Sequence, residues 1–277
     1  MKLLVGTLYC GENEYEECVA AIQSQSYTNF DHMTIANLPE LEAHYKLYKN
    51  FIDNAEQYQL LIKIDADTVI NSDLLFEKIV KKFSENAWLE VMNIGVLDFF
   101  TEEIIPAGIQ IYRNTVRWDF NKDTVFPDIP IMDKNRYQYD KTELAPAATH
   151  CKNPSIPQAF HYGVHRGIKS IQKIHSTSHW AMLQKVWKNF LRIGDRRIGI
   201  AVLGAELVYA GKFGREDQNY TNPNMDQVLQ KYQDMSSHEI KREVQRLRFL
   251  HWGFFPKDWR RKVIRQIRGR LGGRWDE

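Results

Sequence analysis

The chain has 277 residues, 43% hydrophobic and 26% charged, with a formal net charge of +2; this balance excludes a disordered or fibrous protein. That length predicts one large domain with a C-terminal elaboration. The small net charge conceals an asymmetry, because basic residues crowd the C-terminal end while acidic ones are commoner near the N-terminus. Three cysteines, Cys10, Cys18 and Cys151, lack CxxC spacing, so the pattern predicts neither a disulfide framework nor a zinc site and fits a reducing cytoplasm.

Residues 2–8 form a short apolar run that reads as a strand and is too brief for a leader. In 13–25, Tyr15, Cys18, Val19 and Ile22 recur at helical spacing. A second strand is predicted at 32–36, after which Pro39 opens a helix carrying Leu41, Tyr45, Tyr48, Phe51 and Ile52. Residues 60–64 are a compact buried-strand pattern that stops at Asp65, and Ser72 is placed to cap a helix over 73–83. Strand-like runs follow at 89–96 and 104–112. Pro127, Pro130, Pro146, Pro154 and Pro157 then mark a long irregular region. From about Ser178 the pattern turns helical, with Trp180, Leu183, Val186, Trp187, Phe190 and Leu191 on one periodicity. Strands alternating with helices predict an α/β layered domain over 1–178, a helical subdomain over 179–255 and a basic tail over 256–277. The most apolar stretch, 198–210, is broken by Glu206 and falls short of the roughly 20 residues that span a bilayer.

The chemistry concentrates at Asp65-Ala66-Asp67, two carboxylates that emerge where a buried strand ends. A hard cation such as Mg²⁺ or Mn²⁺ takes one or two protein carboxylates and completes its shell with substrate phosphate and water. Bound to a diphosphate, it would stabilise a leaving group. The bland alternative is that the two acids cap the turn into the next helix.

The surroundings add to the motif. The segment 18–30 ends in Gln25, Tyr27, Asn29 and Phe30 and runs into the second strand. It resembles the first helix and the "Q-x-Y-x-N-F" turn of family 2 glycosyltransferases. Asp65-Ala66-Asp67 followed by Asn71-Ser72-Asp73-Leu74-Leu75 is similar to that family's metal motif and the helix after it. The resemblance covers roughly the first 85 residues well and the rest loosely. It implies a GT-A fold, in which a Rossmann-like nucleotide-binding half adjoins an acceptor-binding half with the DxD motif between them. It also implies a UDP- or GDP-linked sugar donor and a glycan or lipid-linked acceptor. The chain departs from the family in having Asn37-Leu38-Pro39 after its second strand and no further βα unit before the motif. By position, Thr7, Glu12, Asn37 and Lys49 could face the nucleotide together with Asp65.

The segment 159–169 holds His161, His165, Arg166 and Lys169 among glycines. Many GT-A enzymes complete their metal site with a later histidine, and His161-Tyr162-Gly163 is similar to that element, so the resemblance assigns His161 to the metal beside Asp65 and Asp67. Arg166 and Lys169 could neutralise the diphosphate. The alternative for His161 and His165 is one face of a helical turn with ordinary hydrogen bonds. His175 and His179 are read as packing residues. An inverting transfer needs a carboxylate base on the acceptor side. Asp128 is chosen for it, with Asp119, Asp123, Asp133 and Glu143 as alternatives.

The tail 257–274 contains Arg260, Arg261, Lys262 and Arg265 beside Trp259, Ile264 and Leu271, an imperfect amphipathic pattern suited to an anionic membrane surface. No nucleic-acid-binding module accompanies it. The sequence therefore predicts a cytoplasmic transferase, peripheral at the inner face of the membrane, acting on a surface glycan or its lipid-linked precursor. Two other readings stand. Asp65-Ala66-Asp67-Thr68 also resembles the DxDxT nucleophile motif of haloacid-dehalogenase-type phosphohydrolases, and a catalytically silent sugar-nucleotide- or membrane-binding module could keep the same fold.

Overall fold

A computed structural model describes residues 1–106, 108–122, 124–172, 176–219 and 222–250; the predicted tail, Asp123 and His175 lie outside the described residues. The described residues divide into two compact units, the first holding Met1–Gln158 and Asn219 and the second Ala159–Gln218 and 222–250.

The first unit begins with β1 (Leu3–Tyr9), α1 (Tyr15–Gln23), β2 (Phe30–Ala36), α2 (Glu40–Asp53) and β3 (Leu60–Asp65). Next come β4 (Thr68–Ile70), α3 (Leu75–Glu85), β5 (Val91–Ile94), β6 (Val96–Asp98), β7 (Ile104–Ile105), β8 (Ile109–Arg113), β9 (Tyr137–Asp140) and β10 (Ala148–His150). The main sheet runs β2-β1-β3-β8-β5-β9, with β2, β1 and β3 parallel and β8 antiparallel to both its neighbours. β1 and β3 are continuous apolar runs because they lie mid-sheet and bury both faces. Leu47, Tyr48 and Phe51 of α2 pack on one face against Leu4, Leu61 and Trp118, with Tyr48 and Trp118 stacked at 4.2 Å between centroids.

A smaller sheet runs β4-β10-β6-β7. Its existence explains why two predicted strands are each broken. Residues 89–96 divide between the sheets at Gly95, where an added Cβ would come within 2.5 Å of Ile104 Cγ2. Residues 104–112 divide before Gly108, whose φ of 75° and proximity to Thr68 admit no side chain.

The resemblance motif of the α1–β2 turn is structural. Gln25 is buried; its Nε2 donates to the Ser72 carbonyl at 2.8 Å and its Oε1 accepts from the Phe76 N–H at 3.1 Å. It thereby satisfies an orphan donor in the first turn of α3. Tyr27 and Asn29 bond the Met1 carbonyl, and Phe30 meets Phe76 edge-on.

The second unit is helical: α4 (Ile156–Ile171, whose first turn belongs to the first unit), α5 (Ser176–Ile193), α6 (Arg196–Tyr209), α7 (Pro223–Leu229) and α8 (Ser237–Leu250). The α/β class and the helical C-terminal part follow the expectation from sequence. Helix, however, resumes at Ile156, before the Ser178 position where the pattern turns helical. The glycines that obscure the periodicity of α4 are required by packing: a Cβ on Gly163 would lie 1.8 Å from the Ala201 carbonyl oxygen, and one on Gly204 would lie 2.6 Å from that of Phe160. Close backbone approach between α4 and α6 therefore replaces side-chain interdigitation. No helix among the described residues is long and apolar enough to cross a membrane. Because the backbones leave no room, Gly163→Ala is expected to cost about 1–3 kcal/mol of stability. Urea denaturation followed by circular dichroism measures this, and an unchanged midpoint would contradict the packing.

Candidate functional site

In the main sheet β1 leads through α1 to β2 on one side, and α2 returns the chain to β3 on the other. Such a reversal opens a crevice beyond the carboxyl ends of the strands, where open α/β sheets bind ligands. The segments leaving β1 and β3 carry Cys10, Gly11 and Glu12 on one side and Asp65, Ala66 and Asp67 on the other. Ala66 N–H donates to the Leu8 carbonyl at 3.2 Å, and Asp65 N–H to that of Gly108 at 3.0 Å, fixing the motif's backbone.

The two aspartates have different partners. Asp65 Oδ1 lies 2.6 Å from Nζ of Lys63, whose side chain is only 4% exposed. Burial works against the Lys63 ammonium, but the charges of Asp65 and Asp128, the Asp65 hydrogen bond and the charge of Glu40 outweigh it and raise its pKa. Asp67 turns to the smaller sheet. Its Oδ2 lies 3.4 Å from His150 Nε2 and 3.3 Å from Cys151 Sγ, and its Oδ1 accepts from Thr68 Oγ1 at 3.1 Å. Burial would push the Asp67 carboxyl up, yet His150 together with the bonds from Cys151 and Thr68 holds it well below the ordinary carboxylate range.

His150 is placed by strand pairing: β10 lies between β4 and β6, so His150 stands opposite Thr68 on one side and Asp98 on the other. Its Nδ1 is 2.8 Å from Oδ1 of Asp98, which is fully buried and whose Oδ2 accepts from the Thr101 N–H and hydroxyl at 2.8 and 2.7 Å. Among the described residues, Asp67, His150 and Cys151 bring one ligand atom each within 4.8 Å of one another, the group suited to holding a metal ion. Sequence reasoning singled out neither His150 nor Cys151. The adjacent pair lies within the predicted irregular region, far along the chain from Asp67, and only the sheet pairing brings it there.

Glu12 lies on the segment that leaves β1. Its Oε2 accepts from Cys10 N–H at 2.6 Å, and burial, opposed by that bond and reinforced by the charges of Asp67 and Asp65, lifts its pKa from 4.5 to about 7. The other candidates are more scattered. Thr7 is fully buried with its hydroxyl 3.0 Å from His32 Nε2. Asn37 is exposed at a φ of 57°, and Lys49 is exposed on α2. Asp128 accepts from Gln110 Nε2 at 2.7 Å, and its charge acts on Lys63 as that of Asp65 does, so two acids distant in sequence share one buried lysine. Among the alternative bases, Asp133 caps a 3-10 turn, Asp119 accepts from the Asn121 N–H, and Glu143 pairs with Lys82. His161, Arg166 and Lys169 belong to α4 in the second unit. There the His161 and His165 rings are 5.6 Å apart, and Arg166 lies over the Tyr162 ring and 3.4 Å from His179.

The elevated Glu12 pKa carries a sign. An acid whose folded pKa is raised binds more protons when folded, so its contribution is fully present below the unfolded value and is lost as pH rises through the folded one. In chelator-treated protein, stability should therefore fall between about pH 4.5 and 7, and Glu12→Gln should flatten that slope. Urea midpoints across the range measure it, and parallel profiles for the two proteins would count against the coupling.

No family model matches the chain, and no curated protein matches it. Among solved structures it is similar to A197 from STIV, with 13% identity over 41% of this chain and 65% of that chain and a TM-score of 0.32. It is similar to S. aureus TarS, with 12% identity over 72% of this chain and 45% of that chain and a TM-score of 0.33. It is also similar to the mannosyltransferase PcManGT from Pyrobaculum calidifontis in complex with GDP-Man and Mn²⁺, with 10% identity over 82% of this chain and 79% of that chain and a TM-score of 0.36. The chain thus spans 65% and 45% of the length of the first two, and at such low TM-scores none of the three decides function.

Proposed function

We propose that the chain is a glycosyltransferase with a GT-A domain, moving a sugar from a UDP- or GDP-linked donor to a glycan or lipid-linked acceptor with a divalent cation held at Asp67. The observation that carries this reading is Asp67 itself: an acid kept ionised at the mouth of a sheet-reversal crevice, with an imidazole and a thiol against its outer oxygen. The resemblance of 18–30 and 65–75 to family 2 glycosyltransferases supports it independently of any solved structure.

The residues fit a cation by the chemistry of their donor set, since carboxylate and imidazole together suit a transition ion such as Mn²⁺ better than Mg²⁺. When bound, the cation supplies positive charge to the departing diphosphate. The chain's own groups do the rest. Asp98 fixes the His150 ring, and His150 with Thr68 fixes Asp67. Lys63 neutralises Asp65, so the crevice does not carry the full charge of three acids beside an anionic donor. The partly protonated Glu12 lowers that charge further and can donate a hydrogen bond. Asp128 is assigned to take the acceptor hydroxyl's proton.

A screen of UDP- and GDP-linked sugars with Mn²⁺, read by thermal shift and by donor turnover, tests the reading. One nucleoside diphosphate should raise Tm only when the cation is present. Asp67→Asn should reduce turnover by about a hundredfold or more while the circular dichroism of the unliganded protein stays that of the parent. Phosphomonoester hydrolysis without nucleotide would replace this reading with the phosphohydrolase one, and undiminished turnover by Asp67→Asn would defeat the assignment of the site.

A further inference from the structure

Cys151 follows β10 in the left-handed conformation, at a φ of 52°. Its N–H donates to the Asp67 carbonyl at 2.7 Å, so backbone geometry holds the thiol over Asp67. The three candidate donor atoms form a nearly regular triangle: Asp67 Oδ2 to His150 Nε2 3.4 Å, Asp67 Oδ2 to Cys151 Sγ 3.3 Å, and Cys151 Sγ to His150 Nε2 3.7 Å. Bond lengths of about 2.0–2.3 Å in a tetrahedral zinc site place its O, N and S ligand atoms roughly 3.3–3.6 Å from one another. The triangle therefore has the size of one face of such a tetrahedron.

The surroundings are those of a supported ligand set. Metal-binding histidines characteristically donate their second ring N–H to a carboxylate, which fixes tautomer and orientation. Asp98 stands in that position behind His150 and is itself locked by Thr101. Gln158 Nε2 lies 3.9 Å from Cys151 Sγ and 2.8 Å from Glu14 Oε2, placing an oriented N–H donor beside the sulfur. Glu14 Oε1 in turn accepts from Asn153 N–H at 2.6 Å and anchors the segment after Cys151 to the start of α1. All of these residues lie in the first unit.

We propose that Asp67, His150 and Cys151 form a three-ligand site for a transition metal ion of the zinc class, leaving a fourth position for water or a substrate oxygen. The inference rests on the preceding reading only in placing a cation at Asp67. It changes the expected ion, because a thiolate selects borderline and soft metals whereas Mg²⁺ demands oxygen ligands in octahedral array. It also replaces the expectation, drawn from cysteine spacing, that the chain holds no zinc-type site. Binding is an exchange: the metal takes lone pairs from the Cys151 sulfur and from His150 Nε2, and the Sγ–H proton and the Nε2 proton of the imidazolium both pass to solvent, with no change of oxidation state. His150 binds through Nε2 and keeps its proton on Nδ1 against Asp98.

Cobalt(II) titration of the chelator-treated full chain, with no nucleotide present, tests this separately from any transferase activity. The expected spectrum has visible bands of tetrahedral intensity and a near-ultraviolet thiolate-to-cobalt band, saturating at one equivalent. Zinc should bleach it and excess Mg²⁺ should not. Cys151→Ser should lose the thiolate band while retaining the parent's circular dichroism, and Cys10→Ser should keep it. Should Cys151→Ser fail to fold, Asp98→Asn serves instead: the thiolate band persists but apparent cobalt affinity falls about 10–100-fold. Absence of the band in the parent, its survival in a folded Cys151→Ser, or unchanged affinity in Asp98→Asn would overturn the proposal. The transferase reading would survive each of these results, because a hard cation at Asp67 gives no thiolate band.

Discussion

The bond between His150 and Asp98 is the constraint on which the site depends. A carboxylate with no exposure is expensive unless its oxygens are satisfied, and Asp98 meets that demand with the His150 ring on one oxygen and Thr101 on the other. The arrangement leaves His150 with a single orientation, Nε2 toward Asp67. Burial disfavours the imidazolium, but the acidic neighbours Cys151, Asp67 and Asp98 raise the His150 pKa well above its ordinary value. In the absence of a cation, positive charge beside Asp67 is thus supplied by the protein itself. A metal ion that displaces this proton takes over a charge balance already built into the fold, so that the surrounding dipoles need little reorganisation.

The smaller sheet makes this constraint possible. β4 is only Thr68–Ile70, and it begins directly after Asp67. Pairing it with β10, and β10 with β6, aligns Thr68, His150 and Asp98 across three strands, so register and side-chain chemistry are one specification. A one-residue slip of β10 would carry His150 to the opposite face. Gly108 lets the chain pass against Thr68, where any Cβ would collide with its hydroxyl. Gln25 performs the matching task at the far end of β4, holding Ser72 and the first turn of α3. The α1–β2 turn and the aspartate motif, separated by some forty residues in the chain, are mechanically joined.

Those relationships decide what the sequence could disclose. The parallel strands were legible because a run buried on both faces is apolar at every position, as in 60–64. Asp65 and Asp67 stood out because carboxylates at a buried strand's end are conspicuous, and Glu12 because it follows the first strand. His150 and Cys151 carried no local signal: residues that meet Asp67 only through the pairing of β10 with β4 have no fixed spacing from it, and the intervening region reads as irregular. Lys63 was hidden for a different reason, since one lysine in an apolar run looks like the exposed position of a strand and is in fact enclosed. In α4 the glycines that pack against α6 erased the periodicity by which a helix is recognised.

Lys63 also explains why two acids one residue apart behave so differently. Successive strand residues point to opposite faces, so Lys63 and Asp65 share a face while Ile62 and Ile64 fill the other. On that shared face lie His44 and Asp128; burial and the Lys63 charge lower the pKa of His44 and keep it neutral, and Lys63 remains the cation between the carboxylates. Asp67 lies beyond the strand, where the backbone has turned toward β10, and escapes this pairing. A buried lysine left without its acids would be strongly destabilising, so Asp65 is tied to the stability of the main sheet, while Asp67 is held by His150, Cys151 and Thr68. A single intervening residue, the buried Ala66, thus separates an acid paired with a lysine of the main sheet from one paired with His150 and Cys151 at the smaller sheet.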